Sequence, residues 1–197
     1  MIFQPAFAFL ATMRFRFLLW HSPPKLFDRL LRLPFYRELL LRQFEHLRLP
    51  PKSRVLELGC GPGALGAILE EGKFELIGCD RSQGMLALAR KKRGDAYVQL
   101  IQGEGGCLPF GDQVFDGVFC ANVFHLFRDP LAVLGDLARV LKPGAPLVLA
   151  GPEESFGLGT AKRLVKEGGF GAEERAALVL WARLRKAMGS EACMKLV

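Results

Sequence analysis

Short apolar runs alternate with amphipathic stretches along this chain, and the alternation is regular between about residues 35 and 150. Runs rich in aliphatic and aromatic residues predict β-strands over 54–58, 74–79, 97–101, 115–120 and 146–150. Apolar residues at helical spacing predict helices over 35–47, 64–69, 82–92 and 130–141. Because helices separate successive strands, the pattern predicts an α/β fold with a doubly wound, mostly parallel sheet and helices on both faces.

The two ends of the chain differ in character from this regular part. Residues 160–167 and 172–188 have helical spacing, whereas only 193–197 could form a further strand. The first 34 residues are rich in aromatic and basic side chains. We therefore divide the chain into a basic, aromatic-rich N-terminal extension, 1–34, and one α/β domain, 35–197.

The net charge of +7 is concentrated near the start of the chain. Ten basic and three acidic residues fall within 1–54, whereas the remaining residues carry 17 of each sign. A solvated basic face and contact with an anionic membrane or nucleic acid are both open interpretations. Arg14 and Arg16 interrupt the apolar residues of the first 20 positions, so no bilayer-spanning helix is predicted there. An amphipathic helix on a membrane surface and a true start at Met13 are the two remaining interpretations.

Cysteine and histidine usage argues against a disulfide framework and against a metal site. The five cysteines are scattered without a C-x-x-C pair, and the three histidines lie far apart in the sequence. This usage favours reduced thiols in a cytoplasmic protein that binds no metal, peripheral at the membrane if the extension docks there.

A glycine-rich loop follows the first predicted strand. Gly59, Gly61 and Gly63 stand at alternate positions between that strand and the predicted helix over 64–69, so main chain could approach a nucleotide-like ligand closely. Glu57 would repel a pyrophosphate, and Pro62 removes one N–H donor from the loop. This charge pattern favours a ligand with cationic groups, such as S-adenosylmethionine, over NAD or ATP.

Four further blocks follow the glycine loop in order along the chain. They are Asp80 with Met85, Gly103-Glu104-Gly105 with Leu108-Pro109-Phe110, Phe115-Asp116, and Leu141-Lys142-Pro143-Gly144. With the loop they cover about residues 35–150 and resemble the class I S-adenosylmethionine-dependent methyltransferases, especially the small-molecule, quinone-biosynthesis-like branch called methyltransferase type 11. The resemblance implies a Rossmann-like fold.

The resemblance also implies which residues bind the cofactor S-adenosyl-L-methionine. The predicted set comprises Glu57, Gly59, Cys60, Gly61, Gly63, Asp80, Arg81, Met85, Glu104, Gly105 and Asn122. Glu57 would orient the methionine end, and Asp80, at the tip of the second strand, would accept hydrogen bonds from both ribose hydroxyls. Met85 would cover the adenine face or simply fill the helix interface. Glu104 stands where the family usually has Asp, so its contact with the adenine amine would shift.

The implied activity is transfer of a methyl group to an O, N or C atom of a small, apolar acceptor. Asn122 is not followed by the Pro-Pro pair typical of enzymes that methylate nucleic-acid amines, which argues against such a substrate. His125 is a weak candidate for orienting or deprotonating an acceptor hydroxyl, and the alternative is a hydrogen-bonded wall residue. Family members usually end with two further strands, which we expect to be missing here or replaced by helices.

Three other functions stay open at this point. The basic extension could serve an RNA or protein methyltransferase as a docking surface. The domain could also be a non-catalytic module that binds the cofactor without turnover. A nicotinamide-dependent oxidoreductase is disfavoured by Glu57 and Pro62.

Overall fold

The computed structural model describes residues 13, 17, 21–151 and 156–188. The chain divides into two compact units, one formed by residues 36–151 and the other by residues 1–35 together with 152–197. The division into an extension, 1–34, and a catalytic domain, 35–197, stays a prediction.

A five-stranded parallel sheet forms the centre of the unit 36–151. Its strands are β1 (Arg54–Leu58), β2 (Glu75–Asp80), β3 (Gln99–Gln102), β4 (Gly117–Ala121) and β5 (Leu147–Ala150). They lie in the order β3-β2-β1-β4-β5, and every neighbouring pair is parallel. The predicted α/β fold and its five strands are confirmed. All carboxyl ends therefore meet at one edge, where ligands of such sheets bind.

The helices agree with the predicted ones except after the glycine loop and at Pro23–Leu30, where the sequence pattern did not predict a helix. They are α1 (Pro23–Leu30), α2 (Pro34–Glu45), α3 (Gln83–Arg93), α4 (Pro130–Val140), α5 (Leu158–Glu167) and α6 (Ala172–Met188). Proline at the first turns of α1 and α4 suits positions whose N–H groups need no intrahelical partner. Asp129 caps α4, because its side chain accepts a hydrogen bond from the Ala132 N–H.

The two faces of the sheet are covered by different helices. Leu56 of β1 and Val118 of β4 belong to the same buried cluster as Leu137 of α4. On the opposite face, the ring of Phe119 meets Phe44 of α2 edge-to-face, with 5.5 Å between the ring centroids. Alternate residues of each strand point to opposite faces. Glu57 therefore lies on the α2 face of the sheet.

The predicted helix over 64–69 is wrong. Only a short 3₁₀ turn, Leu65–Ala67, follows the glycine loop. The ring of Tyr97 lies against this turn, so closely that a Cβ on Gly66 would be 2.4 Å from its Cε2. Glycine disfavours helix, and the contact with Tyr97 makes a larger residue impossible at Gly66 without a shift.

Two strands begin two residues later than predicted. β3 begins at Gln99 rather than at residue 97, because a 3₁₀ turn, Gly94–Ala96, precedes it and Tyr97 is buried against the glycine loop. β4 begins at Gly117, and Phe115 forms only an isolated parallel bridge with Leu141.

The other unit contains helices in its described part. Phe35 and Phe170 meet edge-to-face at 5.8 Å between ring centroids, and Arg29 of α1 forms an ion pair with Glu173 of α6. Among the described residues after 150 there are two helices, α5 and α6, and no strand. The possible strand at 193–197 lies outside the described residues.

We find no helix, among the residues described, whose length and apolar character would let it span a bilayer. The first 20 residues lie largely outside the described part, and the two interpretations of that segment stay predictions.

One ion pair lies at the edge of the sheet where the strands begin, opposite their carboxyl ends. The carboxylate of Asp116 accepts a 2.8 Å hydrogen bond from the Arg54 N–H and a 2.6 Å bond from Lys142 Nζ. These contacts join the starts of β1 and β4 to the turn after α4, and they lower the pKa of Asp116 below 3.8, mainly through Lys142.

We expect Asp116→Asn to lower the free energy of unfolding near neutral pH by up to about 1 kcal/mol, the range of a solvent-exposed ion pair. Because the folded pKa is depressed, this contribution is present above about pH 3.8 and disappears as the pH falls through the folded value. Urea denaturation of both proteins at a series of pH values measures it. A difference that persists at the acid end would contradict this cause.

Candidate functional site

Three glycines give the loop after β1 a conformation that other residues rarely adopt. Gly59, Gly61 and Gly63 have φ angles of 74°, 53° and 81°. A Cβ on Gly59 would lie 2.5 Å from Cγ1 of Val123, and one on Gly63 would lie 3.2 Å from the Tyr97 ring. A Cβ on Gly61 would meet no atom within 4 Å. The loop is therefore packed against side chains at both ends and open at Gly61.

Asp80 links the tip of β2 to this loop. One carboxylate oxygen accepts a 2.9 Å hydrogen bond from the Gly61 N–H, and the other accepts a 2.8 Å bond from the Ser82 N–H. Each carboxylate oxygen has a second lone pair. Asp80 is partly exposed, so both oxygens can still accept from a ligand while they hold the loop and the start of α3.

Glu57 lies beneath the loop rather than in its opening. Glu57 is 5% exposed, and its Oε2 accepts a 2.5 Å hydrogen bond from the hydroxyl of Tyr97. The Leu65 N–H also bonds to this carboxyl group. Burial raises the pKa of Glu57 to about 8, although the bond from Tyr97 acts in the opposite direction. The carboxyl group is thus largely protonated at neutral pH.

Asn122 occupies the end of β4. It has a left-handed φ of 59°, which Asn tolerates better than most residues, and its N–H donates to the Ala150 carbonyl at 2.7 Å. Its side-chain Nδ2 donates to the hydroxyl oxygen of Tyr36 at 2.8 Å. This bond ties the end of β4 to α2, and burial raises the pKa of Tyr36.

The remaining predicted residues lie around the same edge with different exposure. Cys60 is buried in the loop, and burial raises the pKa of its thiol. Arg81 and Glu104 are exposed after β2 and β3, whereas Met85 is half-buried at the start of α3. Gly105 is in contact with the ring of Phe127, whose Cε1 would be 2.8 Å from an added Cβ.

His125 lies in a short 3₁₀ turn, Phe124–Leu126, after β4. Its side chain is half-buried. The turn follows Asn122 directly, so His125 belongs to the same edge of the sheet as the glycine loop. Its two roles, orienting an acceptor or forming a wall, stay open.

Arg139 of α4 holds the loop that follows Glu104 and Gly105. Its guanidinium donates to the carbonyls of Phe110 and Leu108 at 2.7 and 3.0 Å. It also bonds to Asp136, whose carboxylate accepts from the Leu108 N–H at 2.5 Å. The path of the chain after β3 is therefore fixed from α4.

Several residues that shape this edge were not singled out from the sequence. They are Tyr36, Arg93, Tyr97 and Arg139. Tyr97 carried the only usable signal, a polar aromatic residue at the start of an apolar run. That signal gives no partner, because Glu57 is 40 positions away.

The comparisons with known proteins agree with this geometry. Residues 56–149 match a family described as a methyltransferase domain. A demethylmenaquinone methyltransferase from Thermus thermophilus is 40% identical over 115 residues, and the match covers 54% of this chain and 52% of that protein. A solved structure from Pyrococcus horikoshii is 31% identical, with a TM-score of 0.51, and the match covers 58% of this chain and 57% of that one.

A structure of a proposed S-adenosyl-L-methionine-dependent methyltransferase from Methanococcus maripaludis extends over more of the chain. It gives a TM-score of 0.61 over 87% of this chain and 76% of its own, and at 19% identity it supports the fold alone. This chain spans about half the length of the curated relatives it matches.

The sheet order, the glycine loop at the carboxyl edge and the family match define a Rossmann-like methyltransferase fold. Over residues 56–149 the chain is similar to this methyltransferase-domain family, as the order of its motifs indicated.

The residues present fit the cofactor that this family uses. The main chain is open at Gly61, so a ligand can approach it. Asp80 offers free lone pairs beside that opening, and Glu104 is an exposed carboxylate at the end of β3. These hydrogen-bond acceptors suit a ligand with hydroxyl, amine and ammonium groups rather than one with phosphates.

Glu57→Gln should change how the free energy of unfolding depends on pH. The folded pKa of Glu57 is raised from 4.5 to about 8, so its contribution to stability is full below about pH 4.5 and declines up to about pH 8. The decline is at most about 1.4 kcal/mol per pH unit. Urea denaturation should show it in the wild type and a shallower slope in the variant. Parallel pH profiles would contradict the raised pKa.

Proposed function

We propose that this protein binds S-adenosyl-L-methionine at the carboxyl edge of its sheet and methylates a small, apolar acceptor. The observation that carries the proposal is the combination of an open glycine loop with carboxyl groups at the ends of three neighbouring strands, β1, β2 and β3. A parallel sheet brings these ends together, and the match to a methyltransferase-domain family supports S-adenosyl-L-methionine as the ligand.

Each carboxyl group has a distinct proposed role. Asp80 accepts hydrogen bonds from the ribose hydroxyls while it continues to hold Gly61 and Ser82. Glu104 accepts from the adenine amine, with Met85 beside the base. Glu57, in its ionised form, attracts the ammonium group of the methionine end from beneath the loop. The main chain of Gly59, Cys60, Gly61 and Gly63, with Arg81, Gly105 and Asn122, completes the proposed contacts.

The bound cofactor supplies a methyl group on a cationic sulfur, and the protein supplies position and a site with little water. No acid–base residue is required for an acceptor that is already nucleophilic. The proposed role of His125, which lies in the turn after β4, is to orient an acceptor or to take its proton.

We propose a quinone-like or other apolar ring compound as the acceptor class. Support comes from the relatives named demethylmenaquinone methyltransferases, which are 32–40% identical over about half of this chain. RNA and protein methylation find no support in these relatives. Contact of the basic extension with a membrane that carries the acceptor stays a prediction.

Calorimetric titration with S-adenosylmethionine and with NAD tests the cofactor, and transfer of a labelled methyl group to a demethylated quinone tests the reaction. We expect binding of the first ligand only, with labelled product. Binding without transfer to quinones or to lipid extracts would favour the non-catalytic module. Binding of NAD alone would refute the proposal.

Asp80→Ala should weaken cofactor binding by about 1–3 kcal/mol, because charged hydrogen bonds to the ribose are lost. Asp116→Ala is a matched control, since Asp116 also accepts from a backbone N–H but lies at the amino edge of the sheet. Calorimetry on both variants should show a loss for Asp80 alone. Equal affinities would remove Asp80 from the site.

Gly61→Ala should reduce cofactor affinity more than it reduces stability. The new methyl group meets no protein atom within 4 Å, so the folded protein loses only about 1–2 kcal/mol for the left-handed backbone. The same methyl group would occupy the space where main chain and cofactor approach each other.

Gly72→Ala is the matched control for this change. Gly72 also has a positive φ, 69°, and open space around its Cα, but it lies in the turn before β2. We expect both variants to lose similar free energy of unfolding and only Gly61→Ala to lose affinity in calorimetry. Similar affinities in the two variants would show that the loop does not approach the cofactor at Gly61.

A further inference from the structure

We propose that Tyr97 is the positioning residue that couples the glycine loop to Glu57 and so sets the pH range in which the cofactor binds. This inference rests on the proposed function, since it describes how the same site is prepared for its ligand. It concerns a residue that lies outside the predicted set and acts through Glu57.

The Tyr97 hydroxyl makes two hydrogen bonds that join the sheet to the loop. It donates to Glu57 Oε2 at 2.5 Å and accepts from the Gly66 N–H at 3.2 Å. The Leu65 N–H bonds to the same carboxyl group. Two successive N–H groups of the 3₁₀ turn thus depend on Glu57, one directly and one through Tyr97.

Glycines on three sides make room for the Tyr97 ring. An added Cβ would lie 3.2 Å from the ring at Gly63, 2.4 Å at Gly66 and 3.1 Å at Gly78. Gly78 is the partner of Glu57 in the β1–β2 register. A side chain at Gly78 would fill the space through which the ring reaches the carboxyl group.

The loop is held from α3 as well. Arg93 donates a 2.9 Å hydrogen bond to the carbonyl of Pro62, and its Cδ lies beside Gly63. The backbone that follows the open position, Gly61, is therefore fixed. Of the two side chains that hold the loop, Arg93 and Tyr97, it is Tyr97 that also bonds to the buried carboxyl group of Glu57.

Cofactor binding then requires a change in the charge of Glu57. An ammonium group is attracted to the carboxylate and not to the neutral acid, so binding below the pKa of this group releases a proton. The Tyr97 hydroxyl donates to the carboxylate and stabilises it. Without that bond the pKa rises further, and binding requires a higher pH.

The other ionisable groups near Glu57 are the same in the wild type and in a Tyr97 variant. Its neighbours are Asp80 at the end of β2, Tyr36 on α2, Cys60 in the loop and Cys120 on β4. Asp80 raises the pKa of Glu57 when it is ionised. None of these groups donates the hydrogen bond that Tyr97 provides, so a Tyr97 variant isolates its effect.

The test is calorimetric titration with S-adenosylhomocysteine between pH 6 and 9, in two buffers of different ionisation enthalpy, which gives both affinity and protons released. Wild type should release a proton on binding, with a midpoint near pH 8. In Tyr97→Phe the midpoint should move up by about one pH unit, and affinity near pH 7.5 should fall roughly tenfold.

Two controls separate this role from a general loss of packing. Tyr36→Phe removes the other tyrosine hydroxyl of the chain, which bonds to Asn122, and should leave the midpoint unchanged. Glu57→Gln keeps an acceptor for Tyr97 and should bind without the extra proton release. This second variant keeps the test decisive if Tyr97→Phe does not fold, since proton release equal to that of wild type would overturn the proposal.

The outcomes distinguish this inference from the proposed function. If wild type does not bind S-adenosylhomocysteine, the proposed function fails and the inference fails with it. If wild type binds but Tyr97→Phe has the same midpoint, or loses affinity by the same factor at every pH, the inference alone is overturned.

Discussion

The buried carboxyl group of Glu57 is the interaction on which the rest of the site depends. A carboxyl group inside a sheet is unfavourable unless it is hydrogen-bonded, and here the partners are Tyr97 and the N–H of Leu65. Leu65 follows the glycine loop directly, and Tyr97 lies against Gly63 of that loop. The hydrogen bonds that satisfy the carboxyl group therefore also fix the path of the loop. Burial further raises the pKa of the group to about 8, so the charge of the site is coupled to solution pH.

The parallel sheet supplies the second constraint. Its strand order puts β1 at the centre, with β2 and β4 on either side, so Glu57, Asp80 and Asn122 end at one edge although they are far apart in sequence. Each of these polar residues has a structural partner within the protein as well as a proposed ligand contact. The same side chains therefore position the loops and form the proposed ligand contacts. A substitution at one of them alters the loop and the ligand contact together.

Much of the fold could be predicted because its signals are local. Apolar runs predicted the five strands, and local caps are seen at two helix starts, where Asp129 accepts from the Ala132 N–H and Ser82 Oγ accepts from the Met85 N–H. The helix predicted over 64–69 was wrong for a reason that is not local. Helical spacing was present there, but the ring of Tyr97 and the backbone freedom of Gly66 produced a 3₁₀ turn instead.

The sequence by itself determined the α/β alternation, the glycine loop and the acidic residues at strand ends, because each depends on neighbours a few positions away. Tertiary structure alone decided that Glu57 faces Tyr97 beneath the loop, that Val123 closes against Gly59, and that Arg139 holds the chain after β3. These contacts join residues between about 30 and 65 positions apart. Such pairs are chosen by strand order and side-chain packing, which a linear pattern of apolar and polar residues does not encode.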